Sequence, residues 1–598
     1  MAKYSLYSIL VMQIRFWRAA ALAPVLGLCA LAGSGSNDGL PEAPVSVLVN
    51  QVGYDAREAK ILVVQVRDPE TGQTPASFEL LAKDGKVVFR GSLAPRGRIH
   101  AGRPDEWGAR YWIGDFTRFA KAGRFRARVR LGPDGTFSLP FRIGERILFR
   151  ETAVPAARFF YWQRCGFAIP GFHEACHLDD ARVPEQQGGG HRDATGGWHD
   201  AGDFNKYASI ACRSVYALTV LARNSAGLLG DEDRRRVLDE ALWGAEFLRK
   251  MWQPGKGIIY HDVWNGYGYS GPPKQETDGK PGTKDDRPLR GEGPSGMTAA
   301  ALAAVAGQSE RADYREAAED LWRGAVRTLG QDIEDPWVST SGGVPDLGED
   351  VKGRLVRRTA DLLLADLELE GLTGSSRYAE GAKQRVESLL GNQRADGLWP
   401  SDVYSRTVMQ GVPAAALALY AHAHPRNALA RQAGDALRRW VERNLALADN
   451  PFAITPWEPS VFFNPHVERA WSVGQNSQYL SQAWALYLAG DLLREPRARI
   501  LATRQIDWVL GVNPLGLCMM EGSGTHNPPA YLHRFAPSRE RGAVPGAIPN
   551  GIRCPNPRED RPYFDNKNLQ RRDYRSTEPW EPHNAFYLLA LAARENRR

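Results

Sequence analysis

Cysteine is scarce in this chain: six residues among 598. Cys29 lies in an N-terminal apolar run. The other five, Cys165, Cys176, Cys212, Cys518 and Cys554, are an odd number, which argues against a framework made of disulfides alone. Long apolar runs are missing as well. The longest, "AAALAPVLGLCALAGSGS", is shorter than a bilayer span, so no stable membrane insertion is expected. The net charge of +7 is not gathered anywhere. Arginines are scattered among Asp and Glu, and no basic run carries interleaved aromatics, which argues against a nucleic-acid partner. Strand and helix patterns do not alternate in the βαβ manner, so a doubly wound parallel sheet is not expected either.

What is present begins with an export signal. Arg15 and Arg18 precede the apolar run, and Ala30-Leu31-Ala32 fits an A-x-A cleavage site. Residues 1–32 therefore read as a signal peptide and 33–44 as a linker, which places the mature chain outside the cytoplasm, secreted or periplasmic. Met12 is an alternative start. Cys29 is an alternative site for a lipid anchor, although Leu28 is larger than the small residue expected before one. The remainder has 43% hydrophobic and 24% charged residues, ordinary for a globular protein, and length enough for a large core plus a smaller one. Its 17 Trp, 20 Tyr and 21 Phe suit both cores and a cleft that stacks the flat faces of sugars.

Residues 45–145 read as short strands between Gly, Pro and Asp turns. In "RFRARVRL", Phe125, Ala127, Val129 and Leu131 face one way and Arg124, Arg126, Arg128 and Arg130 the other, the alternation of a half-buried antiparallel strand. Several such strands make a β-sandwich. From about residue 150 the period changes to that of helices. "RRRVLDEALWGAEFLRKMW" places Leu238, Leu242, Ala245 and Leu248 on one stripe, and similar stripes recur to the end of the chain. Antiparallel helix pairs closing into a toroid would give their loops one shared face. The long loops 161–207, 253–296, 451–476 and 513–582 hold the unusual residues, and long ordered loops usually carry function.

"GGWHDAGDF", residues 196–204, sets Asp200 and Asp203 three positions apart among Gly196, Gly197 and Gly202. Taken alone it is also a plausible turn or cation loop, since Asp and Gly favour turns. Other segments give it context: "YWQRCG" with "ACH", "GIIYHDV", "SGMTAAALAAVA", "WSVGQNS", "QIDWVLGVNPLGLCMMEGSG" and "DYRSTEPWEPHNA". Together and in this order they resemble glycoside hydrolase family 9, the inverting β-glucanases of cellulase family E. "VLVNQVGY" resembles the start of the immunoglobulin-like domain that precedes many of these catalytic domains. The resemblance covers roughly 45–598. It implies an (α/α)6 toroid at 150–598 behind an immunoglobulin-like β-sandwich at 45–145.

Inversion at a glycosidic carbon needs a base and an acid on opposite sides of the sugar, their carboxyls about 6.5–9.5 Å apart to admit a water. Two aspartates three residues apart are not that pair, but both fit the water side. By the resemblance Asp203 is the general base and Asp200 helps to hold the water. Glu578 falls on the family's proton donor; Glu581 is a rival, because "PWEPH" replaces the family's usual residues there. Trp580 is expected to dry a pocket around Glu578 and raise its pKa. Cys165, Cys176, His177 and His199 resemble the structural zinc site of one branch of the family, a closed shell of two thiolates and two imidazoles. A Cys165–Cys176 disulfide is the alternative, and His173 and His191 are substitute ligands. Asp346 and Asp350 in "GGVPDLGED" offer carboxylates to calcium, or form a solvated acidic loop. His533 and Arg534 in "NPPAYLHRF" stand where the family contacts sugar hydroxyls, and Trp471 and Tyr260 are candidate stacking platforms or core residues. The reading is an exported, monomeric, inverting hydrolase of β-1,4-glucan polysaccharide or oligosaccharide. A non-catalytic glucan-binding relative, or a hydrolase of mixed-linkage glucan or amino-sugar oligomers, is the alternative. A polysaccharide lyase has no use for the paired aspartates.

Overall fold

The structure, a computed structural model, describes residues 43–67, 74–131, 135–225, 227–264, 278–283, 286–331, 349–465, 473–533, 542–565 and 573–596. The first part is built from β1 (Val45–Leu48), β2 (Tyr54–Asp55), β3 (Ile61–Val66), β4 (Ser77–Ala82), β5 (Val87–Arg98), β6 (Arg110–Asp115), β7 (Gly123–Val129), β8 (Thr136–Phe137) and β9 (Phe141–Gly144). β5 belongs to two layers. Its first half pairs antiparallel with β4 and its second half with β6, with a register shift between Pro95 and Gly97. A strand that changes layer turns the corner of a sandwich. One layer continues from β6 through β3 to β1, the other from β4 through β7 to β9 and β2. β7 alternates as the sequence predicts: Phe125, Ala127 and Val129 are buried, while Arg124 and Arg126 are exposed.

Phe78, Leu80, Phe125 and Val129 fill the space between the layers. Leu48, Val63 and Tyr111, on the other side of the β1–β3–β6 layer, join the core of the helical part. Polar groups stitch the same seam. Asn50 Nδ2 donates to Asp507 Oδ1 at 2.7 Å, Trp107 Nε1 to the Asp560 carbonyl at 2.8 Å, and Arg594 pairs with Asp55.

The helical part is a closed ring. Helices Ala208–Asn224, Gly296–Ala306, Glu349–Thr373, Val412–Ala423, Asn476–Leu493 and Glu581–Glu595 each pack on the next, and the last packs on the first. A second set surrounds them: Ile147–Trp162, Asp231–Met251, Ala312–Thr328, Ser376–Asn392, Ala428–Leu447 and Pro496–Val509, each mainly against one inner helix. This is the (α/α)6 toroid. The sequence decides which helix goes where. "GMTAAALAAVA" and "VPAAALALYAHA" are apolar all round and are buried at nearly every position, as an inner helix must be. Outer helices are apolar on one side only. In the 231–251 helix that side is Val237, Ala241, Gly244, Ala245 and Leu248; Leu238 and Leu242, expected on the buried stripe, are half-buried. Glu240 and Gly244 explain the displacement. Trp198 packs so tightly on Gly244 that a Cβ there would lie 2.1 Å from its ring, and its Nε1 donates to Glu240 Oε1 at 2.7 Å. The helix is turned to meet the loop before the active site. Beside that loop a small antiparallel sheet forms from β10 (Lys206–Tyr207), β11 (Trp252–Gln253), β12 (Ile258–Val263) and β13 (Leu289–Gly293). Among the described residues no helix is long and apolar enough to cross a membrane.

Candidate active site

Asp200 and Asp203 lie on the loop that leads into the first inner helix. Gly196 and Gly197 take the left-handed conformation there, with φ of 85° and 69°, which costs glycine no steric penalty. Gly202 is needed for a different reason: a Cβ would lie 1.9 Å from the Leu532 carbonyl oxygen. Asp203 is fixed by Asn205, whose backbone N–H donates to Oδ1 at 3.0 Å and whose side-chain amide donates to Oδ2 at 2.7 Å. Asp200 is buried and accepts from Trp580 Nε1 at 3.1 Å through Oδ2. Its Oδ1 is also buried, and its carboxyl shares a hydrogen bond with that of Asp203. Burial, then the Asp203 charge, pushes Asp200 well above the usual carboxylate range. Burial also raises Asp203, against the opposing pull of the Asn205 hydrogen bonds.

Glu578 arrives from the far end of the chain. The Gly202 N–H donates to its Oε1 at 3.1 Å, across 376 residues of sequence. Burial raises its pKa well above the ordinary value, and the Asp203 charge adds to this. The short helix Tyr574–Thr577 before it is capped by Asp573, whose side chain accepts from the Arg575 N–H at 3.0 Å. The rival Glu581 is 1% exposed and accepts from Ser214 Oγ at 2.6 Å, while its charge also reaches Asp200. Trp580 gives its N–H to Asp200. Its ring packs on Tyr404, and beyond Tyr404 opens a cavity of about 100 Å³ lined by Ser209, Glu292 and Met409.

Cys165, Cys176, His177 and His199 come together, all buried, their donor atoms within 4.8 Å of one another. Both cysteines are free thiols, so the disulfide alternative does not hold in this structure. Cys165 Sγ lies 3.5 Å from His177 Nδ1, and Cys176 Sγ lies 3.6 Å from His199 Nε2. A tetrahedral zinc with bonds of about 2.3 Å to sulfur and 2.0–2.1 Å to nitrogen has S···N edges of about 3.6 Å. The donor set therefore fits that ion. Burial works against ionising Cys165, but the Cys176 hydrogen bond and the charges of Lys206, His199 and His177 outweigh it and hold its thiol well below the usual value. His173 and His191 are outside the cluster; His191 Nε2 instead meets the Asp179 carbonyl at 2.9 Å.

Of the residues expected to touch sugar, His533 and Tyr260 are turned inward. His533 is 7% exposed, and its Nε2 is 2.6 Å from Gln163 Oε1. Tyr260 is buried in β12, under the Arg192 guanidinium at 5.3 Å. Every residue of β12 from Ile259 to Val263 is buried, so this aromatic ring serves packing rather than an open platform. Arg534, Trp471 and Asp346 lie outside the described residues, as does the Asp350 side chain. Asn205 and Gln163 are contributors that sequence reading passed over, although Gln163 sits inside "YWQRCG" and Asn205 directly follows "GGWHDAGDF".

Residues 149–591 match glycosyl hydrolase family 9, and residues 42–131 match the cellulase N-terminal ig-like domain. The chain belongs to glycosyl hydrolase family 9. A cellodextrinase of Butyrivibrio fibrisolvens is 29% identical over 36% of this chain and 39% of its own length. A cellulose 1,4-beta-cellobiosidase of Acetivibrio thermocellus is 26% identical over 66% of this chain and 49% of its own. The chain thus spans less than half the length of these two relatives. A xyloglucan-specific endo-beta-1,4-glucanase of Bacteroides ovatus is 24% identical over 90% of both chains. The fold is shared with a metagenome-derived family 9 endoglucanase: TM-score 0.69 and 24% identity, over 92% of this chain and 99% of that one.

Proposed function

We propose that the protein is an exported, inverting glycoside hydrolase that cleaves β-1,4-glucosidic bonds in cellulose-type glucans or their oligosaccharides. One observation carries the reading: Asp200 and Asp203 on one loop meet Glu578 from the other end of the chain, at one end of the helical ring. In this reading Asp203, ionised and oriented by Asn205, is the general base. Asp200, whose carboxyl shares a hydrogen bond with that of Asp203, helps to hold the attacking water. Glu578 keeps its proton and delivers it to the leaving oxygen. As the C–O bond breaks, the water oxygen bonds to the opposite face of the anomeric carbon and its proton passes to Asp203. Solvent exchange then resets both carboxyls.

Reducing-sugar release from β-1,4-glucan by wild type and by Asp203→Ala tests the site; equal release by the two sinks it. The anomer first seen by NMR tests inversion. Because the xyloglucan-specific relative aligns over 90% of both chains, xyloglucan belongs in the substrate panel beside unbranched cello-oligosaccharides. Export rests on residues 1–32 and is tested by the N-terminus of the mature chain. We further infer that Cys165, Cys176, His177 and His199 hold a structural zinc, which leaves no open position for chemistry and ties the loop at His199 to the segment at 165–177. Metal analysis should find about one zinc per chain, and Cys165→Ser should lose it; a metal-free wild type would refute this.

A further inference from the structure

Two buried histidine–amide pairs lie under the catalytic segments, one beneath each. On the base side, Gln163 Nε2 donates to the carbonyls of His199 at 2.8 Å and of Ala201 at 2.7 Å, the residues on either side of Asp200. The His199 N–H returns a bond to the Gln163 carbonyl at 2.8 Å. Carbonyls only accept, so both amide hydrogens of Gln163 are committed and its Oε1 must face a donor. That donor is His533 Nε2, at 2.6 Å.

The acid side repeats the device. Asn550 Nδ2 donates to the Tyr574 carbonyl at 2.7 Å, and the Asn550 N–H donates to the Glu578 carbonyl at 2.9 Å. Its Oδ1 is therefore left to accept from His583 Nε2, at 2.8 Å. With Nε2 carrying the hydrogen, His583 Nδ1 accepts from Ser477 Oγ. Gln163, Asn550 and His583 are almost fully buried, and His533 is nearly so. Burial holds both histidines down to a pKa of about 3. Each imidazole thus stays neutral and donates a hydrogen bond without placing a charge near the carboxyls.

Besides the direct Gly202–Glu578 bond, one strip of chain bridges the two sides. The Leu532 N–H donates to the Thr577 carbonyl at 3.3 Å, while the Leu532 carbonyl lies against Gly202. His533, the next residue, anchors the base side. We propose that Gln163–His533 and Asn550–His583 are positioning pairs that set the separation of Asp203 and Glu578, each acting on the backbone of one catalytic segment. This rests on the assignment of base and acid above. Lateral error of about 1 Å in such a constellation costs on the order of 100-fold in rate.

The test compares Gln163→Leu and Asn550→Leu with wild type on two substrates: cellopentaose, whose leaving sugar needs a proton, and dinitrophenyl β-cellobioside, whose leaving group does not. The expected result is asymmetric. Both variants lose roughly 10–100-fold in kcat on cellopentaose, with KM within about threefold. On the aryl substrate Asn550→Leu recovers to within about threefold of wild type, because misplacing the acid no longer matters. Gln163→Leu does not recover. Thermal unfolding is measured on each. His533→Gln and His583→Gln, which keep an N–H donor, serve as milder variants should the leucines unfold; they are expected to show the same asymmetry with smaller losses. Full kcat in all variants overturns the proposal, and so does equal loss on both substrates, the mark of general loosening. Failure of the functional reading itself looks different: wild type would then be inactive on cellopentaose, or Asp203→Ala as active as wild type.

Discussion

Asp203 and Glu578 are both raised above ordinary carboxyls, and each displacement has a sign in the pH profile. Asp203 serves only when ionised, so activity falls as pH drops through its elevated value. Glu578 serves only when protonated, so activity falls as pH climbs through a value held well up by burial and by Asp203. The profile should be a bell whose acid limb belongs to the base. Asn205 makes this testable without touching a carboxyl. Its two hydrogen bonds lower Asp203, and a hydrogen bond to a charged group contributes about 1.5–3 kcal/mol. Asn205→Ala should therefore move the acid limb upward by roughly 1–2 pH units while leaving the alkaline limb in place. Glu578→Gln should abolish the alkaline limb and lower kcat by about 10²–10⁴-fold. An acid limb that stays put in Asn205→Ala would mean that Asp203 is not the base.

Elements show where the sequence is legible and where it is not. The 296–306 and 412–423 helices are readable as inner helices because apolar residues occupy every side of them. β7 is readable because its arginines alternate cleanly with its core residues. The 231–251 helix has two apolar stripes to choose from, and only contact with Trp198 decides between them. His533 and Tyr260 show the same limit: residue type alone allows an open cleft, while tertiary packing turns both inward. The catalytic loop and Glu578 are legible as motifs, but the groups that hold them, Gln163 and Asn550, are not. A buried amide has no pattern of its own and is recognised only by the carbonyls it meets. Gly202 gives the prediction at this scale. An alanine Cβ would enter the Leu532 carbonyl, and the base loop must move away from Glu578 to make room. Gly202→Ala should lower kcat on the order of 100-fold while leaving the proposed zinc at Cys165, Cys176, His177 and His199 in place. Near-normal kcat would show that the loop and the 532–533 strip are not in register with the chemistry.

At the scale of the whole molecule, one face of the sandwich packs into the toroid's core, and the two parts share a buried ion pair, Arg594 with Asp55, whose side chains are 2% and 8% exposed. Removing one partner of a buried pair costs about 3–5 kcal/mol, because the other charge is left behind. Arg594→Met should therefore lower the urea midpoint substantially and keep a single transition, since both parts depend on the same seam. Two separate transitions would show that they unfold independently.

The ring of inner helices closes only when 581–595 packs against 208–224. On a ribosome the aspartates emerge first and wait for several hundred further residues before their counterpart exists. Translation halted ahead of Glu578 yields a product with a frayed barrel and half a reaction centre. The site is therefore assembled only by the last stretch of chain, through a closure of very long sequence separation, the kind of contact that forms slowly.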